Sequence, residues 1–260
     1  VGLNISRKFF SYLFNKLGPH IKSDQIVNDN LDKFMGTYNE SKKRDIKIQM
    51  WSNYGKTFVE YLFLKKFREN NSHITINGEH ILQNIIKKNK PVIFISGHFA
   101  NFELMSMELT KKKIKLATIY RPLNNFFLNP FMEYVRKTYV CEDQIKKGLA
   151  GVKKTINYIQ NNSSIALMID QRVSEGPRID FFNKPAHTTT LPAQLAMKYN
   201  LAIIPVFIER TYDNKFKIEF QKEVDPKNFK DKLELTKKLN KILEQMIIKN
   251  PNQWIWTHDR

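Results

Sequence analysis

Residues 91–103, PVIFISGHFANFE, decide how the chain is read. Val92 to Ile95 form an unbroken apolar run, the mark of a strand buried on both faces in a parallel sheet. Gly97 gives the backbone room for a sharp turn, and His98 stands in that turn. A helix, NFELMSMELTKKK, begins within three residues, with Asn101 as its expected N-cap. Strand, turn and helix thus meet around one imidazole.

Working outward, the strand pattern returns in SIALMID (164–170) and LAIIPVFIE (201–209). IKLATIY (114–120) is another strand, RIDFFN (178–183) a short one, and residues 126–140 and 148–162 read as helices. LPAQLAMKYN is a helix that tolerates Pro192 in its first turn. LAIIPVFIER and KFKIEFQKEV pair antiparallel through Tyr212-Asp213-Asn214, and a last helix over 229–249 ends at Asn250-Pro251. On the N-terminal side HITING is a short strand and HILQNIIKKNK a helix. This alternation predicts an α/β fold, a mostly parallel central sheet flanked by helices with an N-terminal helical region. In such folds the site lies at the carboxyl ends of the strands.

Residues 1–72 read as that helical region and 73–260 as the catalytic domain. RKFFSYLFNKLG places Phe9, Phe10, Leu13, Phe14 and Leu17 on one side at helical spacing, and Gly18-Pro19 is expected to stop it. Such a face packs in a core or, with Arg7, Lys8 and Lys16 beside it, lies in a membrane interface. IKIQMWSNYGKTFVEYLFLKKF is a second helix.

The chain has 260 residues, 42% of them hydrophobic, enough for one full α/β core. Its net charge of +18 points to an anionic partner: nucleic acid, an acidic carrier protein or an anionic membrane. Nucleic-acid binding is suggested by charge alone, since zinc spacing, an RNP-like motif and a basic recognition helix are all missing. Cys141 is the only cysteine, so no disulfide forms within the chain. Its acidic neighbours Glu142 and Asp143 disfavour a reactive thiolate. No run reaches the roughly 18–20 apolar residues that cross a bilayer. The spacing of the histidines supports no metal site.

In a continuous helix five positions turn about 500°, so His98 and Glu103 share no face. With His98 in the turn and Glu103 in the first helical turn, the carboxylate is placed to accept from Nδ1. Nε2 is then left free as a general base. No hydroxyl or thiol in the turn offers itself as a protein nucleophile, so the base would act on a substrate group directly. Arg121 closes the second strand, as a structural ion pair or as a substrate contact. Asp170 and Gln171 end the third, where an acid faces the site or caps a turn. Thr188, Thr189 and Thr190 precede a helix, as N-caps or as a phosphate cradle.

GHFANFE resembles the H-x₄-D/E motif of the lysophospholipid acyltransferase superfamily. Within it the chain is similar to the bacterial lipid A biosynthesis acyltransferases, the lauroyl and myristoyl transferases. MWSNYGKTFVEY, IYRPLNN, LMIDQ, RIDFFNKPAHTTTLPAQLA, IIPVFIER and PNQWIWTH follow in the family's order, from about residue 47 to the end. The resemblance implies that His98 is the base, Glu103 its orienting partner and Arg121 the group on the oxyanion or substrate phosphate. Asn101, Asp170, Gln171, Thr188 and Thr189 are the expected substrate contacts. Phe102 stands where the family has Trp, Asn183 where it has Gly, and Arg172 where some relatives have an acid.

The implied donor is acyl carrier protein thioester, and the acceptor a phosphorylated lipid A precursor. No cofactor is implied. The expected location is the cytoplasmic face of the inner membrane, peripheral or held by an anchor upstream of Val1. A glycerophospholipid or a phosphoinositide mannoside is the alternative acceptor.

Overall fold

The protein is described here by a computed structural model over residues 2–21 and 24–258. Its strands are β1 (Ile74–Asn77), β2 (Ile93–Ser96), β3 (Leu116–Tyr120), β4 (Asp143–Lys146), β5 (Ser164–Met168), β6 (Arg178–Phe181), β7 (Lys184–His187), β8 (Ile203–Arg210) and β9 (Phe216–Phe220). The helices are α1 (Leu3–Ile21), α2 (Asp24–Phe34), α3 (Glu40–Glu60), α4 (Leu64–Glu69), α5 (Glu79–Lys88), α6 (Glu103–Lys111), α7 (Leu128–Val135), α8 (Leu149–Gln160), α9 (Leu191–Tyr199) and α10 (Lys232–Lys249).

Seven strands form one sheet in the order β1-β9-β8-β2-β5-β3-β4. From β8 to β4 every neighbour is parallel; β9 runs antiparallel to β8, as the turn at Tyr212-Asp213-Asn214 predicts. The buried runs occupy the centre. Ile93 and Ile95 of β2 join Ile165, Leu167 and Ile203 on one face, under Leu239 and Leu243 of α10. Phe94, Ala166, Ile204 and Val206 face the other way, against Leu104, Met105 and Leu109 of α6. Each such aliphatic side chain contributes about 1.5–3 kcal/mol by leaving water.

The N-terminal helices share this core: Val27, Leu31, Met50 and Trp51 are buried in the cluster that holds Ile93 and Leu243. α1 lies along α3, with Phe14 against Tyr54 and both Phe10 and Phe14 against Phe58. The five α1 residues expected on one side divide between two. Phe10, Leu13 and Phe14 are partly buried, while Phe9 and Leu17 join Ile5 and Tyr12 in the open.

Gly18-Pro19 does not stop α1, which runs on to Ile21. Pro19 costs the one bond its N–H would have made to the Asn15 carbonyl, and with only the last turn following it the helix is not interrupted further. Gly18 also sits flush on Trp51, where a Cβ would fall 2.3 Å from the ring. Among the described residues no helix is long and apolar enough to cross a membrane.

Candidate active site

β2 and β5 are parallel neighbours, with Ser96 opposite Met168. The residues just past their carboxyl ends are therefore brought side by side. His98 follows one strand and Asp170 the other, and Nδ1 of His98 lies 2.7 Å from Oδ1 of Asp170. A carboxylate only accepts, so the hydrogen is on Nδ1, and in the neutral ring Nε2 carries the free lone pair. Oδ2 of Asp170 accepts from the His98 backbone N–H at 2.7 Å and from the Trp254 indole N–H at 2.8 Å.

Burial alone would raise the pKa of Asp170; the His98 charge and hydrogen bonds, with the His258 charge, hold it well below the usual carboxylate range. Asp170 has no exposed side-chain surface, whereas His98 keeps 15%, so the imidazole is the member of the pair presented to solvent. The left-handed backbone of the turn falls at Ala100, with φ of 44°, and not at Gly97. Gly97 is required for space instead: a Cβ there would meet the Phe99 ring at 2.8 Å.

The carboxylate expected on His98 is elsewhere. Glu103 accepts from the Tyr61 hydroxyl and from Arg136 Nε at 2.8 Å and Nη2 at 2.7 Å. Its burial, in the first turn of α6, is matched by that guanidinium. Burial opposes the Arg136 charge, but Glu103 more than compensates and raises its pKa. The two ends of the H-x₄-E motif therefore serve different partners, and Asp170 supplies the hydrogen bond expected of Glu103.

The sequence matches the bacterial lipid A biosynthesis acyltransferases over residues 2–260. The chain belongs to this family. No curated protein matches it as a relative. Among solved structures it is similar to the 1-acyl-sn-glycerophosphate (LPA) acyltransferase PlsC from Thermotoga maritima, at 14% identity over 97% of this chain and 99% of that one, with a TM-score of 0.44.

In this acyltransferase-family chain the other predicted residues are dispersed. Arg121, exposed after β3, stands one strand beyond Asp170 on the same edge of the sheet. Asn101 is fully buried and donates to Glu60 Oε2 at 2.9 Å. It is not the N-cap of α6, because Phe102 occupies that position and no side chain caps the helix. Gln171 lies 3.5 Å from His258 Nε2, and so stays beside the pair. Thr188 is buried, donating to the Ala186 carbonyl at 2.9 Å, and Thr189 Oγ1 accepts from the Leu191 N–H at 3.3 Å. Both are thus engaged by the chain around β7 and α9.

Two participants escaped the sequence. The His258 ring stands 5.4 Å from that of His98, and the buried Trp254 clamps Asp170 through its indole N–H. Both come from the C-terminal segment, whose Ile255 N–H donates to the His98 carbonyl at 3.2 Å. PNQWIWTH was visible as a family block, but nothing local in it specifies the neighbour. Burial pushes the Cys141 thiol up to about 11, which leaves it inert.

A cavity of about 630 Å³ lies away from this pair, between α1 and the β8–β9 turn, and is lined by Arg7, Lys8 and Lys56 among others. Hydrogen bonding and exposure converge instead on His98.

Proposed function

We propose that the protein moves a fatty acyl group from acyl carrier protein thioester to a hydroxyl of a phosphorylated lipid A precursor. The observation that carries the reading is the His98–Asp170 hydrogen bond at the carboxyl edge of the sheet, in a chain of this acyltransferase family. His98 Nε2 takes the proton of the acceptor hydroxyl as its oxygen attacks the thioester carbonyl. Asp170 stabilises the imidazolium that forms. Collapse of the tetrahedral intermediate breaks the C–S bond, and the departing thiolate recovers the proton from Nε2. A base of this kind contributes about 10²–10⁴-fold.

Arg121, on the same edge, is assigned to the phosphate of the acceptor or to the oxyanion. The exposed Ile5, Phe9, Tyr12 and Leu17 of α1 support seating of the N-terminal region on the cytoplasmic face of the inner membrane.

The test is incubation of the purified protein with acyl carrier protein thioester and either a lipid A precursor or a lysoglycerophospholipid, read by mass spectrometry. Acylation of the lipid A precursor, lost in His98→Ala, is expected. Acylation of the glycerophospholipid alone would overturn the acceptor and keep the chemistry. Full activity in His98→Ala would overturn the mechanism.

A further inference from the structure

The loops that leave β3 and β4 carry apolar side chains that no part of the described chain covers. Phe126 is 82% exposed, Phe127 86% and Leu149 89%. Leu123, Phe131 and Tyr134 are exposed beside them on the first loop and α7. The two loops leave neighbouring parallel strands and are tied together where the Lys147 N–H donates to the Tyr120 carbonyl at 2.9 Å.

This outward presentation is built into the loop. Asn125 Oδ1 accepts from the Phe127 and Leu128 N–H groups at 3.0 and 2.9 Å, and Asn129 Oδ1 accepts from the Leu123 N–H at 2.8 Å. These side-chain caps hold the backbone so that both phenyl rings project from it.

The fringe is cationic. Arg121 and Lys147 on the loops, and Lys137, Lys153 and Lys154 in the helical segments that follow them, are exposed. Lys146 is also exposed but is paired with Glu133 at 3.1 Å. Burial, and then the charge of Arg121, lowers the Lys147 pKa, with Glu175 opposing, so positive charge is crowded at the base of the loops. Glu142 is the exposed acid that precedes β4.

Protruding apolar rings within a basic fringe satisfy both requirements for reversible attachment to an anionic bilayer, apolar insertion and attraction to the headgroups. We propose that the loops after β3 and β4 insert Phe126, Phe127 and Leu149 into an anionic lipid surface. The carboxyl edge that bears His98 then rests against the membrane. This contact is separate from the exposed face of α1 and stands whichever acceptor the enzyme uses.

The test adds a tryptophan at the patch. The three native tryptophans are nearly fully buried, so in Phe127→Trp the new indole reports its own surroundings. With the full chain on vesicles containing about 30% phosphatidylglycerol, a blue shift and quenching by brominated acyl chains are expected, both weak on neutral vesicles. The Phe126→Ser, Phe127→Ser, Leu149→Ser variant should bind anionic vesicles at least about tenfold more weakly, while His98→Ala binds as the parent does.

An indole that stays unquenched, whether the chain binds vesicles through α1 or not at all, overturns the proposal. So does an emission shift produced only by acyl carrier protein, which would make the patch a protein dock.

Discussion

At the residue scale, the imidazole is defined by the carboxylate on Nδ1. Asp170→Asn keeps the shape but donates or accepts without charge, which loosens control of the tautomer. Turnover is expected to fall by about 10²–10⁴-fold with little loss of fold. Glu103→Gln should act the other way. It leaves the buried Arg136 without its carboxylate, at a cost of about 3–5 kcal/mol in stability, while the His98–Asp170 bond persists. Parallel urea melts and initial rates on both variants check the division; equal losses of rate from two well-folded proteins would count against it.

A second residue makes stability depend on pH. Both ring nitrogens of His73 are buried without partners and the ring stacks on Phe67. Burial, with the charges of Lys111 and Arg7, lowers its pKa to about 4. The unfolded chain binds a proton near its ordinary value of about 6.5, so the contribution is present above that pH. It is lost as pH falls from there to about 4. Asp170 adds a further loss below about pH 4, where the unfolded carboxyl protonates first. His73→Phe should flatten the upper part of the stability curve, measured as urea midpoints between about pH 7 and pH 4.5.

At the scale of elements, the crossing of α1 on α3 depends on small residues. A Cβ on Gly55 would fall 2.2 Å from the Phe10 carbonyl oxygen, so Gly55→Ala forces the helices apart. A loss of about 1–3 kcal/mol is expected from that overpacking, seen as a lower thermal midpoint. Strands with continuous apolar runs, such as β2, β5 and β8, were legible in the sequence. β4 (DQIK) and β7 (KPAH) were not: an edge strand and half of a separate hairpin bury too little to require a pattern. The hairpin turn does carry a local signal. Phe182 and Asn183 take φ of 50° and 58°, and Asn tolerates the left-handed region.

For the whole molecule, a buried ionic network joins the N-terminal helix to the carboxyl end of β8, beside the His98 turn. Glu60 receives Arg7 Nε at 2.6 Å and Arg210 Nη2 at 3.1 Å, and Asn101 in the His98 turn as well. The turn is thus braced from behind by α1, α3 and β8 together. Outside, the net charge of +18 suits the proposed acidic carrier and anionic lipid, both of which it would attract. Acyl transfer under subsaturating conditions should therefore weaken as salt rises from about 50 to about 500 mM. A flat profile would remove charge steering from the account.

The α/β class, the central strands and the place of His98 at a strand end were determined by the sequence, because burial period and turn residues are local properties. Several blocks in family order were legible in the same way. Which acid meets that imidazole was decided only by tertiary structure. Asp170 lies 72 positions from His98, and they meet because β5 docks beside β2, a choice made by the packing of whole strands that no local pattern encodes. Glu103, five positions away, is turned by its helix toward Arg136 instead, since a buried carboxylate goes to the strongest cation within reach.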